Sequence, residues 1–229
     1  MPKTAPFEKH SEAYDAWFDQ HPDLYQAELE ALRGLLPPPP ARGMEIGAGT
    51  GKFAVPLGIK IGVEPAEQMA ARARARGLEV HSGVAERLPF PDRHFDFALM
   101  VTTICFLDDV ARSLREAFRV LKPGGSLLVG FVDKESDLGR RYADKKQRSK
   151  FYRDATFFSP AEVRERLAGA GFRVARVRQT LLPGQAPRVV RDGFGEGAFV
   201  VIEARKPAAE SPGRWEKPKA RDPQNPSPP

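Results

Sequence analysis

Apolar residues recur at helical spacing over residues 7–36: Tyr14, Trp17 and Phe18, then Leu24, Tyr25, Leu29 and Leu32. The pattern predicts a helix in two pieces, broken near His21-Pro22. Prolines 37–40 end it and form a stiff connector. Short apolar runs then alternate with helical patterns. Strands are predicted at 43–46, 59–63, 78–81, 95–101 and 126–131, the last after a Pro-Gly-Gly turn. Helices are predicted at about 52–58, over 66–76 with Gly77 as cap, and over 110–121, where Leu114, Ala117, Phe118 and Leu121 share a face. Ser159-Pro160-Ala161-Glu162 is a helix start: the serine caps, the proline takes the first turn and an acid sits in it. Residues 172–182 and 198–204 read as strands, with a Pro/Gly-rich loop at 183–197 between them. Alternating strands and helices predict an α/β, Rossmann-like, doubly wound parallel sheet with helices on both faces. Ligands of such sheets sit at the C-terminal strand ends, where strand order reverses. The glycine turn after the first strand lies there.

The pattern divides the chain into an N-terminal helical cap (1–36), a main domain (41–206) with an insertion at about 133–158, and a tail (207–229). The tail is proline-rich with little to bury and reads as disordered. The chain of 229 residues carries a formal net charge of +6. That excess suits a nucleic-acid partner or simple solubility, and scattered arginines such as those of "AARARAR" favour solubility. Cys105 is the single cysteine, so an internal disulfide and a thiolate zinc cluster are both excluded. No apolar run approaches the roughly 20 residues that span a bilayer, and the N-terminus lacks an apolar signal core. A cytoplasmic setting is the expectation, as a monomer or homodimer, with no membrane partner. No His/Asp/Glu cluster has metal-ligand spacing, so no metal is expected.

Met44–Lys52, "MEIGAGTGK", raises the question of a ligand. A phosphate-binding P-loop ends in Gly-Lys-Ser/Thr, but here Phe53 follows Gly51-Lys52. A dinucleotide turn is G-x-G-x-x-G, and Lys52 stands in place of the third glycine. Glu45 would repel a pyrophosphate but suits the sulfonium and ammonium of S-adenosylmethionine. Glu64 closes the second strand, where a carboxylate can take both hydroxyls of a ribose. That feature separates nucleosides from other ligands and not one nucleoside from another.

"MEIGAGTGKF", "GVEPAEQM", "VAERLPFPDRHFDFALM" and "EAFRVLKPGGSLLV" stand in the order and spacing of class I S-adenosylmethionine-dependent methyltransferases. Over about residues 7–206 the chain resembles the ubiquinone/menaquinone-type group of that family. The resemblance implies a seven-stranded sheet, mostly parallel, with an antiparallel last strand. It implies that Glu45, Gly47, Ala48, Gly49 and Gly51 line the methionine end of the cofactor. Glu64 would hold the ribose, with Pro65 and Met69 beside the adenosine. Val84, Ala85 and Glu86 would edge the adenine, Thr102 and Thr103 would face the methyl group, and Tyr14 would close over the cofactor. Two departures stand out: Val84 replaces the family's frequent Asp, and Phe106-Leu107-Asp108-Asp109 lacks the histidine that serves as a base in relatives.

The sulfonium is already activated, so transfer is an in-line displacement that needs placement and exclusion of water. The catalytic residues stay unassigned. No acceptor signature is present, which leaves a small-molecule acceptor as the reading, with an S-adenosylmethionine-binding regulatory protein and an RNA methyltransferase as alternatives. His21, Phe106, Arg141, Tyr142 and Tyr152 are candidate acceptor residues. Residues 139–158 interleave basic and aromatic side chains and read as a lid over the acceptor, as a solvated helix with its aromatics on the sheet edge, or as a nucleic-acid surface. Tyr14, Trp17 and Phe18 admit a core reading too; the split favoured places Trp17 in packing and Tyr14 toward the cofactor.

Overall fold

The computed structural model describes residues 3–208; the expected tail lies, from residue 209 on, outside the described residues. The sheet is built from β1 (Gly43–Ile46), β2 (Ile61–Val63), β3 (Glu79–His81), β4 (Phe95–Val101), β5 (Leu121–Val132), β6 (Arg173–Thr180), β7 (Arg191–Asp192) and β8 (Phe199–Arg205). Its order is β3-β2-β1-β4-β5-β8-β6-β7. Strands β3, β2, β1, β4 and β5 run parallel, and β8 runs antiparallel between β5 and β6. The sheet therefore has eight strands and not seven. The extra one is β7, two residues of the Pro/Gly-rich loop that fold back on β6 at Arg178 and Gln179.

The helices are α1 (Ala5–Lys9), α2 (Ser11–Gln20), α3 (Pro22–Arg33), α4 (Glu67–Ala75), α5 (Val110–Val120), α6 (Asp137–Lys145) and α7 (Pro160–Gly169). Two apolar cores form, one on each sheet face. Met44 and Ile46 of β1 pack with Leu114 and Ala117 of α5 and Val163 and Leu167 of α7. Leu99 and Val101 of β4 pack with Phe18 of α2 and Leu29 and Leu32 of α3. Ser159 and Glu162 form a full capping box at the start of α7.

Three expectations are corrected. The N-terminal helix breaks at His10 as well as at His21. Residues 52–58 form successive turns and no helix: Pro56 lacks an N–H, and the chain closes at once through Ile59 N–H to the Ala54 carbonyl at 2.9 Å. The second strand begins at Ile61 rather than residue 59.

The N-terminal helices are pinned to the glycine turn by polar contacts. The Arg76 guanidinium donates to Asp15 of α2 at 2.5 Å and to the Thr50 carbonyl at 2.8 Å. Lys52 Nζ meets Asp19 at 2.7 Å, and the Tyr25 hydroxyl donates to the Lys52 carbonyl. Burial raises the Asp15 carboxyl, but the Arg76 guanidinium beside it outweighs that and holds it below its ordinary value. The pair therefore stabilises the fold at neutral pH and ceases to do so as pH falls through that lowered value. Arg76→Ala strands an Asp15 that is only 9% exposed. A loss of about 2 kcal/mol in urea unfolding is expected, and a loss below about 0.5 kcal/mol would show the contact to be ornamental.

Candidate active site

Two cavities meet above the C-terminal ends of β1 and β4, where strand order reverses. The first, about 100 Å³, is lined by Tyr14, Gly47, Gly49, Glu64, Pro65, Met69, Val84, Ala85, Glu86, Thr102 and Thr103, with Phe7, Phe106 and Asp108 added. The second, about 310 Å³, is lined largely by aromatic side chains and includes Glu28, Tyr142 and Tyr152. Phe7, Tyr14, Thr102 and Phe106 line both.

The glycine turn is shaped for close approach. Gly47 and Ala48 both donate to the Val63 carbonyl, at 2.8 and 3.0 Å. Gly47 has φ +70°, and a Cβ there would lie 2.4 Å from Thr103 Cγ2. Thr103 Oγ1 donates to the Val101 carbonyl at 3.0 Å and reaches the Gly47 carbonyl at 3.3 Å. Thr102, next to it, has φ +50°, a left-handed conformation that is costly for a β-branched residue. Strain of this kind persists where surroundings over-determine it; here the Thr102 N–H is held by the Gly130 carbonyl at 2.8 Å. The strained residue stands at the junction of the cavities.

Glu64 accepts from the Gly49 and Ala66 amides at 2.8 and 2.9 Å, one on each oxygen. Burial raises its carboxyl, opposed by those two bonds. An ionised carboxylate has about four lone-pair positions, so it retains acceptor capacity toward a ribose. Glu86 accepts from the Asp108 and Asp109 amides at 3.0 and 3.2 Å. Burial pushes the Tyr14 phenol above its ordinary range; a hydrogen bond with Thr102 opposes this, and the Glu45, Glu64 and Glu28 carboxylates add to it.

The remaining candidates lie elsewhere. Glu45 is outside both linings, 1% exposed, on the sheet face opposite Met44 and Ile46. Its carboxyl takes a hydrogen bond from the Ala54 amide and is raised by burial, while Oε2 has no partner among the described residues. Ala48 and Gly51 also lie behind the lining; a Cβ on Gly51 would touch Ala73 of α4 at 3.4 Å. His21 stacks on Trp17 at 4.6 Å and lines neither cavity, and Arg141 is exposed. Cys105 donates to the Thr102 carbonyl at 3.3 Å, and burial pushes its thiol up to about 12, so it remains protonated.

The aromatic residues of 139–158 turn inward. Tyr152 stacks on Phe106 and Tyr142 at 5.9 and 5.1 Å, and Phe151 meets Phe7 and Tyr14 at 5.7 and 5.8 Å. The N-terminal helices and the insertion after β5 thus close over the same space. The carboxylate of Glu8 on α1 accepts from the Glu67 and Gln68 amides at 2.6 and 3.1 Å, which fixes α1 against the start of α4. Glu28 was not among the candidates. Its signal was legible: it falls on the α3 stripe of Leu24, Ala31 and Leu32, where a charge is out of place. Phe7 and Asp108 carried no comparable signal.

Strand order, glycine turn and a strand-ending acid define a nucleoside-binding, doubly wound fold. A family model described as a methyltransferase domain (Methyltransf_11) matches residues 44–129. The chain is 52% identical to a crystallised protein of Thermotoga maritima described as an S-adenosylmethionine-dependent methyltransferase, possible histamine N-methyltransferase. That similarity covers 88% of this chain and 98% of the other, with a TM-score of 0.84. It is 45% identical over 203 residues to an uncharacterised protein of Methanocaldococcus jannaschii, covering 87% of this chain and 98% of that one. A demethylmenaquinone methyltransferase of Chlorobaculum parvum is 34% identical over 93 residues, 38% of this chain and 39% of that enzyme. The chain belongs to the S-adenosylmethionine-dependent methyltransferases. It is an enzyme of that class, and S-adenosylmethionine is its cofactor. Among the described residues, no helix is long and apolar enough to cross a membrane, and no group of three or more His, Cys, Asp or Glu could hold a metal ion.

Proposed function

We propose that the enzyme methylates a small molecule held in the second cavity, with the cofactor in the first. The shared wall of Tyr14, Thr102 and Phe106 carries this reading, because in-line transfer needs donor and acceptor to meet across one gap. When bound, the cofactor supplies an electrophilic methyl group on a sulfonium. Gly47 and Gly49 admit its methionine end without a Cβ in the way. Glu64 takes the ribose hydroxyls, Pro65 and Met69 flank the adenosine, and Val84, Ala85 and Glu86 border the adenine. Thr102 and Thr103 face the methyl group, and Tyr14 closes over it. Glu45, Ala48 and Gly51 act from behind, by holding the turn in shape.

Phe106, Tyr142 and Tyr152 form the acceptor walls; His21 and Arg141 are left out because they line neither cavity. The insertion 133–158 serves as a lid through its aromatic residues, and residues 1–36 as a cap. An RNA surface is not favoured: Arg140 is bonded to Asp137 and to the Glu135 carbonyl, and Lys146 to the Ala155 carbonyl. Incubation with methyl-labelled cofactor is expected to put label into a small-molecule fraction. Label found in RNA or protein would overturn the acceptor assignment. Glu64→Ala is expected to weaken binding of the demethylated product, S-adenosylhomocysteine, by about tenfold or more, since two charge-assisted contacts and the hold on Gly49 go together. Calorimetry checks this, and unchanged affinity would remove Glu64 from the site.

A further inference from the structure

We propose that the second cavity takes an organic amine, and that Glu28 is the residue that recognises its nitrogen. The proposal rests on the reading of that cavity as the acceptor site.

Glu28 is 6% exposed and lines the cavity from α3. Among the described residues it is the one charged side chain in the lining. The same lining holds Tyr14, Trp17, Phe18, Phe106, Tyr142 and Tyr152. Among the described residues no group hydrogen-bonds or ion-pairs with its carboxyl. Burial alone pushes that carboxyl up to about 8. The fold makes no use of this acid; a ligand can. A carboxylate within aromatic faces is the chemistry that selects an ammonium, because the ring faces attract the cation and the acid completes its hydrogen bonding. An anionic acceptor would meet no cation among the described residues of the lining. The volume of about 310 Å³ suits a compact amine with an apolar body.

The same acid solves a chemical problem. An ammonium nitrogen has no lone pair with which to attack. The Glu28 carboxylate takes one proton: an N–H bond breaks with its pair left on nitrogen, and an O–H bond forms on Glu28. The freed pair is the nucleophile, and the proton later leaves Glu28 for solvent, so charge and atoms balance. Among the described residues no histidine lines either cavity, which leaves Glu28 as the group placed to act as base. The titratable groups that face it are Tyr14 from α2, Tyr25 from its own helix, and Tyr142 and Tyr152 from the insertion. Burial raises all four phenols, so they stay neutral while Glu28 titrates.

The test uses the full chain saturated with S-adenosylhomocysteine, titrated calorimetrically with 2-phenylethylamine and with its neutral isostere 2-phenylethanol. The wild type is expected to prefer the amine by about tenfold or more. In buffers of different ionisation enthalpy near pH 7, amine binding is expected to release up to about one proton, as Glu28 ionises. Glu28→Gln is expected to lose both the preference and the proton release while keeping its affinity for S-adenosylhomocysteine. Equal binding of the two probes, a preference for the alcohol, or a preference that survives in Glu28→Gln would overturn the proposal. Should Glu28→Gln fail to fold, Glu28→Asp keeps the charge and must keep the amine preference at reduced affinity. Failure of the wild type to bind S-adenosylhomocysteine would instead defeat the underlying site assignment.

Discussion

Glu28→Gln is expected to stabilise the enzyme at alkaline pH and to leave its stability nearly unchanged in acid. In the folded protein the Glu28 carboxyl holds its proton up to about 8, against an ordinary value of 4.5. Between those limits the unfolded chain binds fewer protons than the folded one, so wild-type stability falls as pH rises. The fall is complete above the folded value. A shift of this size corresponds to a few kcal/mol, at about 1.4 kcal/mol per pH unit. Glutamine removes the ionisation but keeps the shape. Urea unfolding is therefore expected to show Glu28→Gln ahead by about 2–4 kcal/mol near pH 8.5 and level with wild type near pH 5. A gap that is the same at both pH values would mean that Glu28 does not titrate in this range. Such a stabilising change at an acid without structural partners, coupled to loss of amine recognition, is the signature of a residue retained for function.

Gly47→Ala is expected to damage cofactor binding more than any other single methyl group added to the turn. Two costs combine. The left-handed φ of +70° disfavours a side chain by about 1–2 kcal/mol. The new Cβ would also lie 2.4 Å and 2.6 Å from Thr103 Cγ2 and Oγ1. Thr103 must move, and its wall of the first cavity moves with it. Overpacking of this kind costs about 1–3 kcal/mol, and affinity for S-adenosylhomocysteine is expected to drop about a hundredfold. Gly58→Ala is the control. Gly58 has φ +77°, but a Cβ there meets nothing within 4 Å. It bears the backbone cost alone, so Tm is expected to fall while affinity stays put. Equal loss of affinity in both variants would show that general destabilisation, and not the shape of the cradle, controls binding.

Much of this was legible in the sequence because local chemistry and global fold agree. The apolar run 95–101 is buried on both faces, and the strand has the predicted bounds. Ser159 with Glu162 is self-contained, so its cap could be read from spacing alone. Elements set by tertiary contact were less legible. Strand β7 is two residues long and exists only because β6 offers an edge. The early start of β5 reflects a register shift opposite Phe95 and Phe97, around which the Pro-Gly-Gly turn is accommodated. Of the first cavity's lining, Gly47, Gly49 and Glu64 were picked out by the glycine turn and the strand end, and Thr102 and Thr103 by the family resemblance. Glu45 was readable only as an acid near the turn: it is buried on the sheet face opposite Met44 and Ile46 and lines neither cavity. The inward aromatics of 139–158 share one composition with a solvated helix, and only the fold distinguishes the two. Glu28 shows the most useful failure, since a charge on a buried stripe breaks the local pattern, and such breaks concentrate at functional sites.

The central claim is that the cleft of Gly47, Gly49 and Glu64 holds the cofactor. Calorimetric titration of the full chain with S-adenosylhomocysteine, beside NAD and ATP, tests it most directly. One-to-one binding of S-adenosylhomocysteine alone, weakened in Gly47→Ala and retained in Gly58→Ala, is the predicted result. Absence of S-adenosylhomocysteine binding, or binding indifferent to Gly47→Ala, would contradict the account.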